Sequence, residues 1–145
     1  MTEKSFLIDS NILIYAIDNS DTRKHEIALE ILEDCFGRNE IWAISYQNLA
    51  ELSAVIINKI HNKNDLENAR KLIKDIILVK NFKKIKYTGR TIIHAIELNQ
   101  KDNIEFWDAL IAATMLENKI FNIYTENTKD FSNVPGIKAI NPFIP

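Results

Sequence analysis

Phe6-Leu7-Ile8-Asp9-Ser10-Asn11 decides how the rest of the chain is read. A short apolar run that stops at a carboxylate has the pattern of a buried central strand. Working outward from it, Asn11 to Ile17 forms a short helix. Thr22 can cap a second helix that ends at Gly37, with Ile27, Ala28, Ile31, Leu32 and Cys35 on one face. Ile41-Trp42-Ala43-Ile44 reads as a second strand, after which Ser45 caps a helix to about Ile60. Asn64 caps the next, with Leu66, Ala69, Ile73 and Ile76 or Ile77 facing inward. Lys84-Ile85-Lys86-Tyr87 alternates like an edge strand, and Thr88 opens a helix to about Lys101. Glu105 to Asn118 is helical, with Trp107, Leu110, Ile111 and Thr114 on its apolar side. Phe121-Asn122-Ile123-Tyr124 is a third central strand and Ile137-Lys138-Ala139-Ile140 a last short one. Strands that alternate with single or paired helices predict an α/β fold. Three α/β/α layers are expected, with a central, mostly parallel sheet of about four to five strands.

The chain of 145 residues is the size of one domain, expected over residues 1–145. Hydrophobic residues make up 46% and charged residues 26%, the balance of a soluble globular protein, and the formal net charge is −2. That charge argues against nucleic-acid binding over the whole surface, but it leaves room for a local acidic metal site or one basic stripe. Cys35 is the only cysteine, which excludes a disulfide framework and a cysteine-based zinc site. The N-terminal apolar stretch is far too short for a signal peptide or membrane span, so a cytoplasmic protein with no membrane partner is expected.

In parallel sheets ligands gather at the carboxyl ends of the strands, near the switch in strand order. Three acids fall where that rule looks. Asp9 follows the first strand directly, although it could equally cap the helix that follows. Glu51 lies in the second turn of the helix after strand two, with Asn48 three residues earlier on the same face; a solvated helix acid is the simpler reading of Glu51 taken alone. Asp108 lies in the first turn of a strongly apolar helix, just after Glu105. The helix dipole would favour it there, but an acid on a central helix also needs a partner. Carboxylates packed together repel, and one protonates unless a cation intervenes. With no His or Cys among the three, Mg²⁺ or Mn²⁺ is the cation that suits them.

These residues resemble the PIN-domain proteins, and among them the VapC-like toxins, over essentially the whole chain. Three motifs in family order carry the likeness: Leu7-Ile8-Asp9-Ser10-Asn11, Asn48-Leu49-Ala50-Glu51-Leu52 and Trp107-Asp108-Ala109-Leu110-Ile111-Ala112. The ending Ile140-Asn141-Pro142-Phe143 is similar to the family's closing strand and turn. The resemblance implies that Asp9, Glu51 and Asp108 form the metal site, with Ser10 and Asn11 orienting the first carboxylate. A fourth acid usually follows the next strand. Here Asn127 aligns with it, and Glu126 or Asp130 is near enough to substitute. The implied reaction is metal-assisted hydrolysis of RNA phosphodiester bonds, with tRNA or ribosomal RNA as the substrate type. The implied partners are an antitoxin protein and a second copy of the chain. The Asn127 departure keeps another possibility open, a PIN-like module that binds RNA or a protein without cutting. A phosphatase with Asp9 as nucleophile is disfavoured, because Asn11 stands where its second aspartate belongs.

Other features have plainer readings. Lys80, Lys83, Lys84, Lys86 and Arg90 form the densest basic run and are candidates for holding RNA phosphates, or simply a solvated loop and edge strand. Arg23, Lys24 and His25 open the second helix and could touch RNA, though a solvated helix start is the simpler reading. His61 and His94 lack metal-ligand spacing. Trp42 and Trp107 fall within expected core elements and are read as core, not as base-stacking platforms. Tyr15 and Tyr46 flank two of the motifs, and the face from Ile27 to Cys35 is either core or part of a groove for an antitoxin helix.

Overall fold

Every strand pairing is parallel, and the sheet runs in the order β3-β2-β1-β4-β5. The computed structural model describes residues 4–37 and 40–145. Along the chain lie β1 (Ser5–Ile8), α1 (Ser10–Ile17), α2 (Thr22–Phe36), β2 (Ile41–Ser45), α3 (Tyr46–Lys59) and α4 (Lys63–Leu78). There follow β3 (Phe82–Ile85), α5 (Gly89–Asp102), α6 (Phe106–Glu117), β4 (Asn122–Tyr124), α7 (Thr128–Ser132) and β5 (Lys138–Ile140). The expected α/β/α fold is present, and β1 is its middle strand.

Side chains alternate across the sheet with a period of two, which sorts the core into two layers. Leu7, Ala43 and Ile123 point to the side covered by α5, α6 and α7. Ile8, Trp42 and Ile44 point to the side covered by α1 to α4. Buried on both faces, β1 can be apolar without interruption, as its sequence requires. In α6 every residue from Ala109 to Met115 is buried, and Ala109, Ala112 and Ala113 keep the helix close to its neighbours. Among the described residues no helix is long and apolar enough to cross a membrane.

Several expectations are corrected. Asp21, not Thr22, caps α2, accepting from the Lys24 amide at 3.1 Å. Asn62, not Asn64, caps α4 by accepting from Asn64 and Asp65. In each case the residue upstream keeps extended backbone just outside the helix, so its side-chain oxygen can turn back onto the free amides of the first turn. β3 starts at Phe82, two residues before the expected strand, because the buried Phe82 pairs with Trp42. In α4, Ala69 and Ile76 face inward while Leu66 and Ile77 are exposed. Trp107 is exposed as well, since the buried stretch of α6 begins only at Ala109 and runs to Met115. Trp42 is buried, and its indole nitrogen donates to Asp34 Oδ2 at 2.8 Å. Cys35 is buried too, and burial pushes its thiol pKa up, out of the reactive range.

Lys84 illustrates how the fold redirects a charge. Its ammonium group donates to the carbonyl oxygens of Ile76, Val79 and Phe82. Two of these are carbonyls that the end of α4 leaves without helical partners, and a cation there is favoured by the dipole. Burial nevertheless holds the Lys84 pKa below the ordinary lysine range. The residue therefore stitches α4 to β3.

Candidate active site

The chain divides at β1: α1 to α4 carry it one way along the sheet to β2 and β3, while α5 to α7 return it the other way to β4 and β5. The crevice of such a switch opens at the carboxyl ends of β1 and β4. Register sets what meets there. Ile8 lies opposite Tyr124, so the residues after them, Asp9 and Thr125, become neighbours. The Asp9 amide donates to Tyr124 O at 3.0 Å, and the Thr125 hydroxyl donates to Asp9 Oδ2 at 2.8 Å.

Asp9 is only 5% exposed and begins α1, yet its side chain caps nothing. The carboxylate instead accepts from Ser10 Oγ at 3.4 Å, Asn11 Nδ2 at 3.4 Å and Asn48 Nδ2 at 3.2 Å, besides Thr125. Asn48 is fully buried and oriented by Ser45. Its amide nitrogen donates to Ser45 Oγ at 2.9 Å, while that hydroxyl donates to Asn48 Oδ1 at 2.7 Å. The Asn48 side-chain NH₂ is thereby turned to Asp9. The helix cap at Ser45 thus performs two tasks, starting α3 and aiming an amide.

Glu51 follows Asn48 by one turn. Ser10 Oγ reaches it at 3.0 Å, so one hydroxyl lies between Asp9 and Glu51. Gln47 Nε2 donates to Glu51 Oε1 and to the Trp107 carbonyl, each at 3.0 Å, tying α3 to the start of α6. Glu105 caps α6 by accepting from the amides of Trp107 and Asp108, which fixes the turn that carries Asp108. On the far side, Asn127 Nδ2 donates to Asp108 Oδ2 at 2.6 Å and to Asp130 Oδ2 at 3.2 Å. A side chain between two carboxylates must present its donor end, so the amide orientation follows from its partners.

The electrostatics show acids crowded without a counter-charge. Burial holds the Asp9 carboxyl above the ordinary aspartate range, and the charge of Glu51 adds to that shift, against the favourable bond from Thr125. Burial pushes Asp108 up to about 7, with repulsion from Asp9, Glu105 and Asp130 adding and the Asn127 bond opposing. None of the ion pairs among the described residues involves Asp9, Glu51 or Asp108. The set offers only oxygen ligands, which suits a hard divalent cation. Among the described residues no three acidic, His or Cys side chains already close on one point. The carboxylates are instead taken up by the neutral donors of Ser10, Asn11, Asn48, Thr125 and Asn127, which a cation would compete with.

The other sequence candidates are sorted by the same geometry. Glu126 turns to Lys24, whose ammonium is 2.9 Å away, and accepts from Tyr15 Oη at 3.0 Å; only its backbone amide touches this centre, donating to Asn11 Oδ1. Asp130 is joined to Asp108 through Asn127. In the basic run Lys83, Lys86 and Arg90 are exposed, whereas Lys84 is committed to backbone carbonyls, so it is not free to hold a phosphate. His94 lies 3.8 Å from Glu117, away from the acids. Thr125 and Gln47 were not singled out from sequence. The Thr125 contact depends on strand register, which no local pattern announces. A glutamine four residues before Glu51 on one helix face was a visible signal for Gln47.

An acidic centre at the switch point of a doubly wound parallel sheet defines a class of α/β proteins whose chemistry gathers around clustered carboxylates. Within that class this chain belongs to the PIN domain family, whose sequence model matches residues 6–137. No curated protein matches the chain. Solved structures with the same fold include FitAB bound to an IR36 DNA fragment, with 14% identity, a TM-score of 0.74 and 95% of each chain covered. VapC20 of Mycobacterium tuberculosis, a sarcin–ricin loop cleaving toxin, shares 18% identity at a TM-score of 0.67, covering 88% of this chain and 93% of its own. VapBC2 of Rickettsia felis, bound to a fragment of its promoter DNA, shares 23% at a TM-score of 0.65, covering 94% and 98%. At such identities the likeness is one of fold.

Proposed function

We propose that this protein is a metal-dependent endoribonuclease and the toxin of a toxin–antitoxin pair, with Asp9, Glu51 and Asp108 as ligands of Mg²⁺ or Mn²⁺. The observation that carries the reading is that Glu51 and Asp108, from distant parts of the chain, both come near enough to Asp9 to repel it, while among the described residues no cation pairs with any of the three. When bound, the ion would supply an activated water and neutralise charge on the phosphate oxygens. Asn48, Thr125, Asn11 and Ser10 hold the Asp9 carboxylate in one orientation. Gln47 does the same for Glu51, and Glu105 sets the turn that presents Asp108. The structural neighbours support the biological setting: one is a sarcin–ricin loop cleaving toxin, and another is a toxin–antitoxin complex from Klebsiella pneumoniae. In this reading the substrate is a structured RNA of the tRNA or ribosomal type. The partners are an antitoxin protein and a second copy of the chain.

Purified protein is expected to cut RNA with Mg²⁺ or Mn²⁺ and to stop in EDTA. Asp9→Asn is expected to abolish cutting while the circular dichroism spectrum stays that of the wild type. Undiminished cleavage by Asp9→Asn, or in EDTA, contradicts the proposal. Asn127 favours a second reading, a PIN module that binds RNA or a protein without cutting, since an amide stands where the family resemblance expects an acid. A folded protein that neither takes up Mn²⁺ in calorimetry nor turns RNA over would favour that reading instead.

A further inference from the structure

Three aromatic side chains stand in water around one opening beside Glu51. Trp107 is 57% exposed, Tyr46 47% and Tyr87 43%. Together with Gln47, Ala50 and Glu51 they line a groove of about 550 Å³. They come from three places in the chain: the first turn of α6, the first residue of α3 and the segment between β3 and α5. Large rings left exposed together mark a binding surface more often than an accident of composition. A second, independent sign lies in Gln47. Both hydrogens of its amide have acceptors, Glu51 and the Trp107 carbonyl, yet its Oε1 is buried with no partner among the described residues. A buried acceptor without a donor is uncommon, and it marks Gln47 as a side chain with hydrogen-bonding capacity unspent beside the groove.

We propose that this groove receives an unpaired RNA base next to the bond that is cut, stacked among Trp107, Tyr46 and Tyr87 with Gln47 at its edge. The proposal rests on the ribonuclease reading and assigns the side chains that would hold the nucleotide beside the cut. A base in a duplex is already stacked and cannot enter such a groove, whereas a splayed base gains a partner for its face. The lining favours a base over a protein segment. Its walls are rings with polar tips and an amide, and Ala50 is its only aliphatic side chain. An apolar helix would find better walls in the separate groove formed by Ile56, Ile57, Leu66, Ala69 and Ile73. Proximity to Glu51 places the stacked nucleotide beside the acids, which is what a positioning platform requires.

The test compares enzyme and RNA variants in Mg²⁺. On a loop-containing RNA with one cleavage site, Trp107→Ala is expected to raise KM about tenfold, the ordinary value of one stacking contact, with Trp107→Phe restoring most of the loss. An abasic nucleotide walked along the RNA is expected to cause the same loss at one position beside the cut. At that position it adds nothing further in Trp107→Ala. Wild-type KM in both Trp107→Ala and Tyr46→Ala, or abasic and Trp107→Ala losses that simply add, overturns the platform. Loss of binding to an apolar helical peptide, with RNA kinetics intact, overturns it in favour of a protein surface. If the wild type cuts no RNA at all, the ribonuclease reading fails separately. Tryptophan fluorescence with a short single-stranded RNA then decides the groove: quenching that vanishes in Trp107→Phe upholds it, and no quenching overturns it.

Discussion

The acids on either side of Ser10 and those on either side of Asn127 carry the same charge and are held in different ways. Asp9 is buried and accepts from four side chains, those of Ser10, Asn11, Asn48 and Thr125, drawn from α1, α3 and the end of β4. Asp108 is half-buried and, among the described residues, accepts from the Asn127 side chain alone. Fixed dipoles around Asp9 stabilise its charge in a place where water cannot. Around Asp108 only the Asn127 amide does so, and burial together with repulsion from neighbouring acids pushes its pKa up to about 7; Asp9 is raised as well, by burial that outweighs its four donors. One half of the centre is therefore organised in advance, while the other depends on what it binds.

Thr125→Val tests the organised half and carries the larger expected effect. The substitution keeps the shape of the side chain but removes the 2.8 Å bond to Asp9. Supporting partners of this kind typically contribute about 10- to 100-fold to metal affinity. A fall of that size in Mn²⁺ affinity, read by calorimetry, is the expected outcome. Unchanged affinity would mean that the register-imposed contact plays no part in positioning the ligand.

Asn127→Asp tests the dependent half, and its effect is smaller and changes sign with metal. A third carboxylate would then stand between Asp108 and Asp130, where like charges repel. In EDTA its melting temperature is expected to fall below that of the wild type. With Mn²⁺ in excess the variant should recover by more than the wild type gains, because binding to the native state alone stabilises it. Equal metal-induced shifts in the two proteins would place residue 127 outside the metal's reach.

Much of this was legible in the sequence because short-range rules governed it. Phe6-Leu7-Ile8 ending at Asp9 announced the central strand, and Ser45 and Thr88 announced helix starts. Asp9, Glu51 and Asp108 were marked by where they fall relative to strand ends. What stayed hidden depends on pairing across the chain. Thr125 meets Asp9 because Ile8 registers with Tyr124, and Lys84 meets α4 because β3 begins at Phe82. Trp107 was misplaced for another reason. A helix apolar on nearly all sides has no periodic signal to show which turn leaves the core, and only the packed structure shows that burial begins at Ala109.

Mn²⁺ titration of the wild type beside Asp9→Asn, Glu51→Gln and Asp108→Asn tests the central claim most directly. The expected result is saturable binding to the wild type and none to any of the three variants, all four proteins remaining folded. A wild type that takes up no Mn²⁺, or any one variant that binds it as tightly, would contradict the shared-ion account of these acids.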